Sequence, residues 1–204
     1  MRVVLPLIMT RRILLGTQRA LLAGAVLMLG YCAFVLLDTW TFQAREQHQF
    51  DRLLAGRAVL PISRTEVPAA APGGVLGRIE IERLGISVMV LEGTGPAALR
   101  RAAGHIAGTA LPGHIGNIGI SAHRDTFFRP LRNVRHDDII LLTTLQGQYR
   151  YRVISTKIVS PSDIEVLAPS GTEILTLVTC YPFYFVGSAP NRFIVRAERV
   201  GISS

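Results

Sequence analysis

The stretch Glu173-Ile174-Leu175-Thr176-Leu177-Val178-Thr179-Cys180-Tyr181-Pro182 is apolar and β-branched up to its thiol, and it closes on a proline. Such a run reads as a buried strand. Proline cannot donate to a ladder, so the strand stops near Pro182 and Cys180 lies at its end. Downstream, the loop Gly187-Ser188-Ala189-Pro190-Asn191 leads into a second strand that begins with Arg192-Phe193-Ile194-Val195 and extends to Arg199. Upstream, Asp138 to Thr144, then Gln146-Gly147, then Tyr149 to Val159 reads as a hairpin around a glycine turn. Tyr149-Arg150-Tyr151-Arg152-Val153 alternates cleanly, so one face of that strand is wet. Arg78-Ile79-Glu80-Ile81-Glu82, Ile86 to Leu91 and Gly116 to Ala122 are further strands. Pro96 with Ala97, Ala98 and Leu99 reads as a short helix, and Ser162 to Leu167 as one helical turn capped by Ser162. Many short strands and little helix predict an all-β domain, a compact barrel or sandwich.

The chain has 204 residues, enough for one ordinary domain and an appendage. The appendage is N-terminal. Residues 1–19 are basic, with Arg2, Arg11, Arg12 and Arg19, and no acidic residue occurs before Asp38. Residues 20–37 are uncharged and mostly apolar, near the lower limit for a helix across the hydrocarbon core of a bilayer. The positive-inside rule then keeps the N-terminus in the cytoplasm and exports the rest. No Ala-x-Ala site follows the run, and Tyr31 precedes Cys32 where a lipoprotein has a small residue. An uncleaved signal-anchor in the plasma membrane is therefore expected, and a mature chain starting near residue 40 would contradict it. Residues 38–74 read as a polar juxtamembrane helix followed by a Pro/Ala/Gly linker, and residues 75–204 as the folded domain. The net charge of +8 would suit nucleic acid, but the arginines of the N-terminus belong to the anchor. The other basic residues are scattered with no run interleaved with aromatics, so no nucleic acid is expected as partner.

The cysteines are Cys32, in the apolar segment, and Cys180. That separation argues against a disulfide framework. Cys180 at a strand end is either a nucleophile held rigidly beside a groove or an inert core cysteine. A reactive thiol needs a base or a positive charge nearby. Among the histidines, His48 lies outside the domain, His105 and His114 follow glycine signals and read as loop residues, and His136 precedes Asp137-Asp138 in a solvated turn. His123 ends the apolar segment Ile118-Gly119-Ile120-Ser121-Ala122 and ranks first. Arg192 offers a permanent charge and a fixed fork of donors for an oxyanion, although a surface ion pair is the ordinary use of an arginine. If the strands ending at Cys180 and starting at Arg192 are antiparallel neighbours, the two side chains meet at one end of the sheet.

Three segments then carry a family resemblance. Thr176-Leu177-Val178-Thr179-Cys180 resembles the TLxTC signature of sortases. Ala122-His123-Arg124-Asp125-Thr126-Phe127-Phe128 resembles the family's histidine motif, with Ala122 in place of the usual glycine. Arg192 in Asn191-Arg192-Phe193-Ile194-Val195 matches the family's arginine. The finer similarity is to class D sortases, through Gly104-His105-Ile106-Ala107-Gly108-Thr109-Ala110, Cys180-Tyr181-Pro182-Phe183 and Val186-Gly187-Ser188-Ala189-Pro190. The resemblance implies an eight-stranded closed β-barrel behind a signal-anchor, with His123, Cys180 and Arg192 as the catalytic residues. It implies a surface-protein substrate with a C-terminal LPxTG-like sorting signal, cleaved through a thioacyl intermediate and passed to an amine acceptor.

Two other readings remain: a mainly hydrolytic cysteine peptidase of the same fold, and a membrane-tethered barrel that only binds. No cofactor is expected, since there is no Walker-type glycine loop or calcium loop. No metal is expected either, because one cysteine with scattered histidines lacks paired zinc-ligand spacing. Phe127, Phe128 and Leu131 are expected to pack the barrel. Tyr181, Phe183, Tyr184 and Phe185 either wall a peptide groove or pack the core.

Overall fold

The computed structural model describes residues 7–57, 71, 73–184 and 187–201. They divide into two compact units, Met1–Thr41 and Phe42–Ser204. Helix α1 runs from Leu7 to Arg57. It contains a stretch long and apolar enough to cross a membrane, and none of that stretch is buried inside the protein. The successive residues Leu27, Met28 and Leu29 are 74%, 71% and 70% exposed. A helical stretch that is apolar all round suits lipid rather than water.

Eight strands follow: β1 Val75–Ile81, β2 Ile86–Glu92, β3 Ala103–His105, β4 Gly116–Ser121, β5 Ile139–Thr144, β6 Gln148–Val159, β7 Glu173–Tyr181 and β8 Asn191–Arg199. They close into a barrel in the order β1-β2-β3-β4-β7-β8-β6-β5. The β2–β3 and β4–β7 pairs are parallel and the others antiparallel. Parallel neighbours need crossover connections. The short helix α2, Pro96–Arg101, with proline in its first turn, makes the first of them. The hairpin around Gly147 is formed by β5 and β6.

Alternate residues of each strand fill the interior. Ile79 and Ile81 of β1, Ile118 and Ile120 of β4, and Leu175 and Leu177 of β7 are fully buried in one cluster. Phe128 and Leu131 join it completely and Phe127 packs against it, as their sequence suggested. A second cluster lies around Met89 and Leu91 of β2. Phe50 of α1 is buried in it at 2% exposure, and Phe42 and Leu54 pack alongside. The later turns of α1 thus belong to the barrel's own packing. Gln43 accepts a hydrogen bond from the Met89 N–H, and Asp51 pairs with Arg78 at 2.9 Å.

Two local expectations are corrected. His105 is in a strand, not a loop: it ends β3, beside Glu92 of β2 and Ile120 of β4. Its ring is 2% exposed, with Nδ1 2.8 Å from a Glu92 carboxylate oxygen and Nε2 3.0 Å from both the Ala110 carbonyl and Thr109 Oγ1. Ser162 caps nothing. The turn at Ile164–Leu167 is 3₁₀, Asp163 stands before it without a side-chain cap bond, and Ser162 Oγ instead faces Ser160 Oγ at 2.9 Å. Asn117, polar in an otherwise apolar strand, is buried and fully used. Its amide donates to the carbonyls of Val166 and Ala168 at 2.9 and 3.2 Å, and its oxygen accepts from Thr176 Oγ1 at 2.6 Å. These bonds hold the β6–β7 connection over the outer face of β4 and β7.

Candidate active site

The strand ending in Cys180 and the strand beginning with Arg192 are antiparallel neighbours, and these two residues are direct cross-strand partners. Direct partners have Cα atoms roughly 5 Å apart. Leu175 and Leu177 point inward with Val195 and Ala197. By the period of two, Cys180 and Arg192 therefore face outward together. Both are half-buried. Arg192 Nη1 donates to the carbonyls of Ala189 and Asn191 at 3.3 and 3.0 Å, so the loop before β8 holds the guanidinium.

His123 comes to the same end of the barrel along a third strand. β4 runs parallel to β7 with Ser121 beside Val178. Past the end of β4 the chain stays on β7. The Ala122 N–H donates to the Val178 carbonyl at 3.3 Å, and Thr179 Oγ1 donates to the Ala122 carbonyl at 2.8 Å. His123 is the next residue of the chain, at the same end of β7 as Cys180. His123 is exposed, and its carbonyl accepts from the Phe128 N–H at 3.1 Å, which folds back the turn that follows. The sequence thus placed all three residues at element ends, and the topology gathers those ends: β4 and β7 finish where β8 starts.

The sequence reading gave no role to two residues at this end. Thr179 was quoted within the strand and its motif, yet its hydroxyl ties β7 to Ala122. Arg124 donates from Nη1 to the Pro182 carbonyl and from Nη2 to the Gly187 carbonyl, both at 3.0 Å. Its place in the histidine motif marked it but not its partners, because the carbonyls it reaches are 58 and 63 residues away. Among the described aromatic residues after Cys180, core packing is seen for Phe183. Tyr181, Phe183 and Phe193 form a ring cluster, with Phe183 and Phe193 also packed on the core. Tyr184 is 76% exposed under Arg132. Phe185 lies outside the described residues.

The outward face continues away from Cys180 and Arg192. Val178 and Ile194 form the next β7–β8 pair, and Thr176 and Arg196 the one after. Ile194 pairs with Lys157 of β6, and Arg196 with Ser155. Ile194, Lys157 and Arg196 border a groove of about 280 Å³ whose other wall carries Asp163 and Glu165. At about 3.3 Å per residue, Arg196 is roughly 13 Å along β8 from Arg192, about four residues of an extended peptide. His114 and His48 are exposed, away from these strand ends, and His136 pairs with its neighbour Asp137 at 3.0 Å. Among the described residues no group of three or more His, Cys, Asp or Glu side chains is arranged to hold a metal ion.

The fold is thus a closed mixed barrel with a half-buried thiol at one strand end, and a groove lies further along the same outer wall. Residues 79–200 match the sortase domain, and the chain belongs to the sortase family, whose members are cysteine transpeptidases. It is 31% identical over 191 residues to sortase D of Bacillus subtilis (strain 168), an alignment covering 88% of this chain and 96% of that protein. Among solved structures it is similar to a sortase D5 transpeptidase of Clostridium perfringens, with TM-score 0.63 and 25% identity, covering 79% of this chain and 97% of that one. It is also similar to a lid mutant of sortase A from Corynebacterium diphtheriae, with TM-score 0.60 and 27% identity, covering 77% and 96%.

Proposed function

We propose that this chain is a membrane-anchored transpeptidase that cuts an LPxTG-like sorting signal through a thioacyl enzyme at Cys180. The observation that carries the reading is the direct pairing of Cys180 with Arg192 on the outward face of β7 and β8, at the end where the chain leaves β4 for His123. The Cys180 thiolate attacks the carbonyl carbon of the fourth residue of the signal. The oxyanion that forms is met by Arg192. Only Nη1 of that guanidinium is hydrogen-bonded among the described residues, which leaves Nε and Nη2 to donate. The carbon–nitrogen bond to the fifth residue breaks, and His123 protonates the departing amine. An acceptor amine then attacks the thioester and gives its proton to His123, and the thiolate leaves as the new amide forms. The groove along Ile194 and Arg196 suits the extended acyl half of the signal.

The membrane reading rests on α1. Its unburied apolar stretch supports a bilayer-spanning anchor, and Arg11, Arg12 and Arg19 on the N-terminal side support a cytoplasmic N-terminus. The lipid bilayer, a surface protein bearing the signal, and an envelope peptide or lysine amine are then the partners.

The test is mass spectrometry of the full chain in detergent, with Cys32→Ser as background, after mixing with peptides of the LPxTG type. A thioacyl adduct that disappears on adding an amine is expected for the parent and absent for Cys180→Ala. Arg192→Ala is expected to lower turnover by roughly 10²–10³ fold, the scale for one oxyanion donor. Transpeptidation retained by Cys180→Ala would remove the assignment, and release of free acid with and without amine would make the chain a hydrolase.

A further inference from the structure

The three residues assigned above sit on separate stretches of chain, and something must hold their spacing. Two hydrogen bonds precede them: the Ala122 N–H to the Val178 carbonyl, and the Thr179 hydroxyl to the Ala122 carbonyl. These fix the residue before His123 against the residues before Cys180. On the other side of both residues stands Arg124. Its guanidinium reaches the carbonyl of Pro182, two positions past Cys180, and the carbonyl of Gly187, five positions before Arg192. His123 is thus flanked by Ala122 and Arg124, each bonded to β7 or its continuation, and Cys180 lies between the two points of attachment. The same guanidinium ties the start of the β7–β8 connection, at Pro182, to its middle, at Gly187.

We infer that Arg124 is a positioning residue that sets His123 against Cys180 and pins the β7–β8 connection that leads to Arg192. The inference rests on the catalytic reading of those residues. It follows from the shape of the group. Two carbonyls that approach different nitrogens of one planar fork fix both the distance and the angle between their segments. An ammonium on a flexible stem supplies the same charge but not that fork. Reacting groups misplaced by about 1 Å can lose on the order of 10² in rate, so a clamp between the two reacting segments is a rate determinant without touching substrate.

The experiment follows the second-order rate of Cys180 alkylation by iodoacetamide from pH 5 to pH 10. It uses the full chain in detergent with Cys32→Ser as background, and needs no sorting peptide. His123→Ala reports how the profile looks when the imidazole no longer serves the thiol. Arg124→Lys and Arg124→Gln are expected to shift the pH–rate profile of the parent toward that of His123→Ala. They should also lower kcat for an LPxTG-type peptide by roughly 10-fold to 100-fold with KM changed less than threefold. Arg199→Lys is the control for stability alone. Arg199 lies at the far end of β8, over the Tyr149 and Tyr151 rings and 3.5 Å from Glu173, so its loss lowers Tm and leaves the profile as in the parent. A parental profile in Arg124→Lys, with the His123→Ala profile altered, overturns the positioning role and leaves the catalytic reading standing. A His123→Ala profile identical to the parent overturns the catalytic reading itself.

Discussion

Asp138 shows how one residue supports the barrel from outside the active site. Its carboxylate is 7% exposed, and it takes both Arg83 Nε and Arg83 Nη2 at 2.5 Å and the Arg135 N–H at 2.8 Å. The hydrogen bond from Arg83 is the first cause of a carboxyl pKa below its ordinary value; the Arg135 N–H adds to it, and burial opposes. The sign of the linkage follows. A carboxyl with a depressed folded pKa contributes stability that is complete above its unfolded pKa, about 3.9, and is lost as pH falls through the lower folded value. Asp138→Asn should therefore lower Tm at pH 7, and the gap to the parent should close as pH drops below about 4. Thermal melts from pH 7 to pH 3 read this directly, and a gap that stays constant would show that the charge contributes nothing. Local pattern could not reveal the pair, because Arg83 lies 55 residues from Asp138. His105 was misread for the same reason. Gly104-His105-Ile106 looks like a loop until Glu92, on the neighbouring strand, supplies the partner that lets an imidazole be buried.

At the scale of elements, periodicity made the long strands legible and failed for two others. β3 has three residues, too few to show an alternation, and it exists because β2 and β4 pair with its two edges. Gly104 fits there for a local reason: a Cβ on it would lie 2.3 Å from the Gly93 carbonyl oxygen. The later turns of α1 were legible as helix but not as barrel packing. Phe42, Phe50 and Leu54 recur at helical spacing, yet their counterparts Met89 and Leu91 face outward from a strand whose neighbours Val88 and Val90 already fill the core. A strand buried on both faces has no polar side to reveal that something covers it. The pairing of Cys180 with Arg192 was available as a condition on strand adjacency, and the register meets it. The contribution of the helix can be measured. Phe50→Ala removes a ring buried to 2% exposure, and substitutions of that kind cost about 3–5 kcal/mol. A fall in Tm of roughly 6 °C or more is expected for a domain of this size. A shift under about 1 °C would mean that the barrel is stable without the helix packed on β2.

At the scale of the whole molecule, the chemistry proposed for the barrel needs a compartment, and the charge pattern before the apolar stretch names one. Arg11, Arg12 and Arg19 lie on its N-terminal side, and translocating them is costlier than retaining them in the cytoplasm. The barrel would then stand where surface proteins and their acceptor amines meet. Ser188, exposed in the loop before Arg192, offers a reporter position. In a chain with Cys32→Ser and Cys180→Ser, Ser188→Cys should react with a membrane-impermeant maleimide on intact cells. Changing Arg11, Arg12 and Arg19 to glutamate should reduce that labelling severalfold, because the charge bias that orients the helix is then reversed. Labelling only after lysis would place the barrel in the cytoplasm, away from any surface substrate. The thiol, imidazole and guanidinium proposed as catalytic would then need a different peptide to act on.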